Sequence, residues 1–135
     1  MKGLILTSAL RVLLLFEALG FLLFAVLHLG LPLSLGFVLL EEPPRPYAVM
    51  VESAAAFLLT LGALAAITHR PWAWATATVA HVFALVGVLW GIVAIQAGRG
   101  PHTPLNDTFH GVMIVLLIAG LIFSMSAGRV VGGRD

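Results

Sequence analysis

Residues 12–30 read VLLLFEALGFLLFAVLHLG, and that stretch decides the fold. Apart from Glu17 and His28 it is apolar, and about 20 mainly apolar residues are what a helix needs to cross ~30 Å of hydrocarbon. The apolar run continues to Leu40. That is longer than the ~7–15-residue apolar region of a cleaved signal peptide, and no small-residue cleavage site follows, so a retained first helix is predicted.

Outward from this stretch the pattern repeats. Charge-poor segments at 5–30, 47–68, 72–97 and 107–127 predict four spanning helices in one domain over residues 1–135, an all-α integral membrane bundle. Composition agrees: 61% of residues are hydrophobic, 10% are charged and the mean hydropathy is +1.10, whereas soluble domains are roughly a quarter charged. Cysteine is absent, which excludes disulfides, thiolate catalysis, iron-sulfur clusters and cysteine zinc sites. A net charge of +1 gives no nucleic-acid footprint.

Between the helices the punctuation is strong. The first connection, GLPLSLGFVLLEEPPRPY, holds Pro32, Pro43, Pro44 and Pro46 and is long enough for a re-entrant or interfacial segment. THRPW makes a tight second turn. AGRGPHTPLND breaks the chain again, with Asn106 or Asp107 expected to cap the last helix. No internal repeat is evident. Lys2, Arg11, Arg70, Arg129 and Arg134 lie on one side, against Arg45 and Arg99 on the other, which predicts cytoplasmic termini. On the third helix Ala77, Ala80, Ala84, Gly87, Gly91, Ala94 and Gly98 form a small-residue stripe, read as a packing seam bordered by His81.

Polar side chains inside such segments cost a few kcal/mol each, face the bundle interior and mark a site or pathway. At ~1.5 Å per residue, Glu17 and His81 fall within roughly 5 Å of the midplane. His28, Glu52 and His110, with Trp90, fall roughly 7–14 Å toward the outside. The sharpest expectation is that His28, Glu52 and His110 converge on one cavity. Three chemistries stay open for this column. His28, Glu52 and His110 could hold a divalent transition metal, or two histidines a haem b. Glu17, His28, Glu52, His81 and His110 could form a ligand or proton path. Each Glu could instead pair with a His or Arg to set helix register, in a scaffold or subunit of something larger. Arg11 is expected to snorkel, Trp72 and Trp74 to anchor at an interface, and Met113 and Met125 to pack. His69, His102, Glu41 and Glu42 are expected to be solvated.

SALRVLLLFEALGF, with Arg11 opening the first helix, MVESAAAFLLTLGALAAI, with Glu52 early in the second, and the basic THRPW turn together resemble the DoxX-like group of small four-helix bacterial membrane proteins. The resemblance covers roughly the first eighty residues; AHVFAL around His81 and NDTFHG around His110 fall outside it. It implies a four-helix bundle and, in some relatives, association with membrane redox or respiratory systems, and it carries no catalytic residue onto this chain. A small multidrug transporter shares a first-helix Glu, here Glu17, but not the long first loop or the histidines. The resulting expectation is a non-enzymatic component of a prokaryotic plasma membrane: an accessory subunit or small-ligand binding or transport protein, in contact with lipid, as a homo-oligomer or part of a larger membrane complex. The alternatives are a haem or metal redox protein and a proton-coupled small transporter.

Overall fold

A computed structural model describes the backbone of residues 2–132 and the side chains of residues 7–127. Lys2, Arg129 and Arg134, which carry part of the charge bias, lie outside the described side chains. Four helices appear in chain order: α1 (Lys2–His28), α2 (Pro46–Ile67), α3 (Ala73–Gln96) and α4 (Pro104–Gly132). All four are long and apolar enough to cross a membrane. Each packs on two neighbours, so the ring runs α1, α2, α3, α4 and back to α1. Thus α1 faces α3, and α2 faces α4, across the centre.

The outward faces are as apolar as the interior. Val12, Phe16, Leu19, Phe57, Val79, Val86 and Val115 are all at least 60% exposed, an arrangement that water would penalise and hydrocarbon would not. Inside, Leu10, Leu14 and Phe21 of α1 pack with Ala55 and Leu59 of α2, Ala77, Ala80 and Ala84 of α3, and Met113 and Leu117 of α4. Met113 packs, as its sequence context predicts, whereas Met125 is half-exposed.

The helix ends show how local chemistry sets the boundaries. α2 opens with Pro46 at its first turn, where the missing N–H costs nothing. Arg45 donates its backbone N–H to the His28 carbonyl at 2.8 Å, joining the start of α2 to the end of α1. α4 begins at Pro104, earlier than the sequence suggests, and the cap is Thr103 rather than Asn106 or Asp107. The Thr103 hydroxyl accepts the Asn106 backbone N–H at 3.0 Å, and the cap precedes a proline. Instead of a re-entrant segment, the first connection holds a short hairpin, β1 (Leu33–Ser34) antiparallel to β2 (Leu39–Leu40). The end of the bundle bearing this hairpin and the 97–103 connection is called the hairpin end below, and the opposite end the termini end.

The packing of α3 against α4 is reciprocal. The His81 ring of α3 sits where a side chain on Gly120 of α4 would go, and the His110 ring of α4 sits where one on Gly91 of α3 would go. His81 and Gly91, like His110 and Gly120, are ten positions apart, so the two contacts interchange about an approximate two-fold axis between α3 and α4. On the other two helices, buried positions recur at helical spacing. Glu17, Phe21, Phe24 and Leu27 of α1 are buried at the same spacing as Glu52, Ala56, Leu59 and Gly62 of α2. The reciprocal contact is thus a feature of α3 and α4, a ring seated on a glycine at each of two levels.

Candidate functional site

The five polar residues singled out from the sequence sort into two layers. In the inner layer Glu17 of α1 reaches diagonally across the bundle to His81 of α3, with Nε2 3.0 Å from Oε2 and both side chains at 0% exposure. His81 donates Nδ1–H to the Ala77 carbonyl at 2.6 Å, which fixes Nε2 as the nitrogen that meets the carboxylate. The approach is close but poorly aligned: neither Glu17 oxygen nor His81 Nε2 has a well-directed hydrogen bond. Packing holds the two side chains together, with Gly120 leaving room for the ring.

In the outer layer His28 of α1 places Nδ1 2.9 Å from both oxygens of Glu52 on α2, with the two side chains 3% and 8% exposed. His110 lies a helix away, donating Nδ1–H to the Asn106 carbonyl at 2.8 Å. His28, Glu52 and His110 all line one cavity of about 540 Å³ in the hairpin-end half, together with Asn106, Arg45, Arg99 and Trp90. Its walls include Phe21, Val51, Val88 and Phe109. Phe109 stacks on Phe24 at 3.7 Å between ring centroids and meets Phe21 edge-on at 5.6 Å. Phe21 lies one helical turn from Glu17, so these rings stand between the cavity and the inner pair.

Glu52 of α2 and His110 of α4 lie on the other diagonal, which, among the described residues, no ion pair closes. Glu52 is held sideways by His28, His110 rests on Gly91, and the cavity lies between them.

A metal held by His28, Glu52 and His110 does not fit this geometry. Among the described residues no three His, Cys, Asp or Glu side chains stand close enough to hold a metal ion. A haem held axially by His110 fits no better. The nitrogen left for iron is Nε2, and it lies 2.5 Å from where a side chain on Gly91 would begin, so the α3 backbone occupies the iron's direction.

Several residues depart from their expected roles. Glu42 is 5% exposed rather than solvated: the Thr103 hydroxyl donates to its Oε1 at 2.5 Å, and its Oε2 has no hydrogen-bond partner among the described residues. Arg11 does more than snorkel, donating Nε–H to the Ala66 carbonyl at 3.1 Å and approaching the His69 ring with Nη2 at 3.3 Å. His69 is thus a partner in the α2 terminus, in a left-handed conformation at φ 55. His102 is exposed, as expected, and lies 3.5 Å from Asp107. Asn106, predicted only as a cap, is 2% exposed and lines the cavity. Its Nδ2 donates to the Pro101 carbonyl at 3.1 Å, and its Oδ1 is left without a partner. Nothing in the sequence marks Gly120 as the seat of a ring or Glu42 as buried.

Comparison of the chain with protein-family models, curated proteins and solved structures finds no match.

Proposed function

We propose that this protein is a membrane component that binds a small molecule in the hairpin-end cavity, non-enzymatically, with the hairpin end outside a prokaryotic plasma membrane. One observation carries the reading: a cavity of about 540 Å³ has mostly apolar walls and a few convergent polar groups, the usual composition of a ligand site of roughly 300–1,000 Å³. The resemblance to DoxX-like proteins adds only that such a component could serve a larger assembly. The test is native mass spectrometry of protein purified in mild detergent. A small molecule should accompany the wild type and be lost from Ala94→Trp, which fills the cavity from α3. Retention in that variant would place the molecule elsewhere. A visible absorption scan and metal analysis of the same sample address the cofactor alternative, which a haem band would reinstate.

A second reading, transport, has one specific support. The reciprocal ring-on-glycine packing of α3 and α4 is what an inverted repeat would give, and inverted repeats with a site at their interface are a common plan of secondary transporters. Here one diagonal, Glu17 to His81, is closed while its counterpart, Glu52 to His110, is open. Under this reading a second state exists in which the two exchange. Spin labels at the two ends of α2 and α4 should report two distance populations that shift oppositely at the two ends; a single population at both ends in all conditions would remove it.

A further inference from the structure

We propose that the cavity takes an amphipathic organic anion, with an apolar body among its walls and an anionic head at Arg45 and Arg99 on its rim. This rests on the ligand-binding reading above and names the ligand's chemistry.

The rim carries positive charge that nothing in the chain neutralises. Arg45, at the start of α2, and Arg99, in the connection after α3, are exposed residues that line the cavity. Arg45 donates Nη1–H to the Arg99 carbonyl at 3.4 Å, which holds the two residues side by side. Among the described residues neither guanidinium has an ion-pair partner. The carboxylates of this end are engaged elsewhere: Thr103 donates to Glu42, Asp107 lies 3.5 Å from His102, and Glu52 turns to His28. Glu41 is exposed and does not line the cavity. Nor does an acidic residue stand in the first turn of α2, where it would offset the helix dipole. Like charges held side by side repel, and an anion between them replaces that repulsion with attraction.

The form of the charge narrows the head. A guanidinium presents a planar fork of N–H donors matched to carboxylate and phosphate oxygens. Hydrogen bonds to an ionised group are roughly twice as strong as neutral ones, so a hydroxyl head gains less and a cationic head is repelled.

The depth of the cavity sets the body. Phe21, Val88, Ile95 and Phe109 line it and are buried. The polar groups among them are committed: His28 and Glu52 to each other, and His110 to the Asn106 carbonyl on one side and the Gly91 backbone on the other. Asn106 Oδ1 is sealed from any ligand. The inner part of a ligand therefore meets mainly hydrocarbon, which an apolar body matches and a small inorganic anion leaves uncovered.

The test is binding of radiolabelled octanoate to the full-length protein in neutral-lipid nanodiscs, with empty discs subtracted. Saturable binding is expected. Unlabelled octanoate should displace the label at concentrations roughly tenfold or more below octanol and octylammonium, which keep the body and change the head. Acetate, which keeps the head without the body, should not displace it in that range. Arg45→Gln combined with Arg99→Gln should erase the preference for octanoate; if that variant does not fold, the head-group order on the unaltered site decides alone. A preference surviving in the folded variant would take the head away from the rim and overturn the assignment. Ala94→Trp should abolish binding, and full binding there would put the anion outside the cavity. Octanol or octylammonium displacing the label at equal or lower concentration would overturn the head-group class while leaving a binding cavity. Displacement by acetate at the octanoate concentration would overturn the apolar body, and no saturable binding would overturn the organic anion altogether. Discs containing phosphatidylglycerol separate the sources: competition with octanoate supports an anion supplied by the bilayer, and unaltered octanoate binding supports one supplied from solution. The broader reading fails separately, if native mass spectrometry finds no accompanying molecule.

Discussion

Glu17 and His81 meet at the centre of the bundle, 3.0 Å apart and fully buried. Removing one partner strands the other in an apolar core, which typically costs about 3–5 kcal/mol, whereas replacing both by apolar residues is often near neutral. Glu17→Ala should therefore lower thermal stability in detergent sharply, and Glu17→Leu combined with His81→Leu should recover most of the loss. Equal melting of Glu17→Ala and wild type would show that the contact contributes nothing. The glycine opposite provides a second check. A methyl group on Gly120 would collide with the His81 ring, so Gly120→Ala should cost about 1–3 kcal/mol as overpacking. His81→Ala should then rescue Gly120→Ala, and additive losses on thermal unfolding would contradict the contact. That glycines in the α3 stripe serve close approach was legible from the sequence, and Gly87 does face Val51 of α2. That Gly91 makes room for an imidazole, and Gly120 for another, was not legible, because the partner is set by the register of α3 against α4.

At the scale of elements, helix existence follows from run length alone, and the four predicted spans overlap the four observed helices closely. The start of α4 does not, because Thr103 and Pro104 form a cap and first turn that outcompete the later Asn and Asp. Thr103 also donates to buried Glu42, so one hydroxyl joins the first connection to the start of α4. Thr103→Val should lose both bonds and cost about 1–2 kcal/mol, while Thr103→Ser, which can restore both, should cost less. Hydrogen exchange at the first turn of α4 would reveal the change directly; unaltered protection in the Val variant would argue that the cap is dispensable. At the other end, Arg11 serves as a C-terminal cap for α2 through the Ala66 carbonyl, a role visible only once α1 and α2 are side by side.

For the whole molecule, the charge bias predicts the hairpin end outside. The chain lacks cysteine, so single cysteines can be introduced without background. A membrane-impermeant maleimide should label Phe37→Cys and Arg99→Cys in intact cells, and Arg70→Cys only after lysis. The reverse pattern would invert the topology and move the cavity to the cytoplasmic side.

Run length and apolarity, which need no neighbour, determined from the sequence that the chain makes four helices suited to hydrocarbon. Depth along those helices, a matter of ~1.5 Å per residue, also separated Glu17 and His81 from His28, Glu52 and His110 before any packing was known. Depth carries no information about rotation around a helix axis or about which helices are neighbours. Only the tertiary structure decided that Glu17 crosses to His81, that Glu52 turns to His28 instead of His110, and that the His81 and His110 rings each seat on a glycine of the neighbouring helix. Those choices arise from how four rods pack, through small contacts such as a ring against a glycine, and no single helix encodes them.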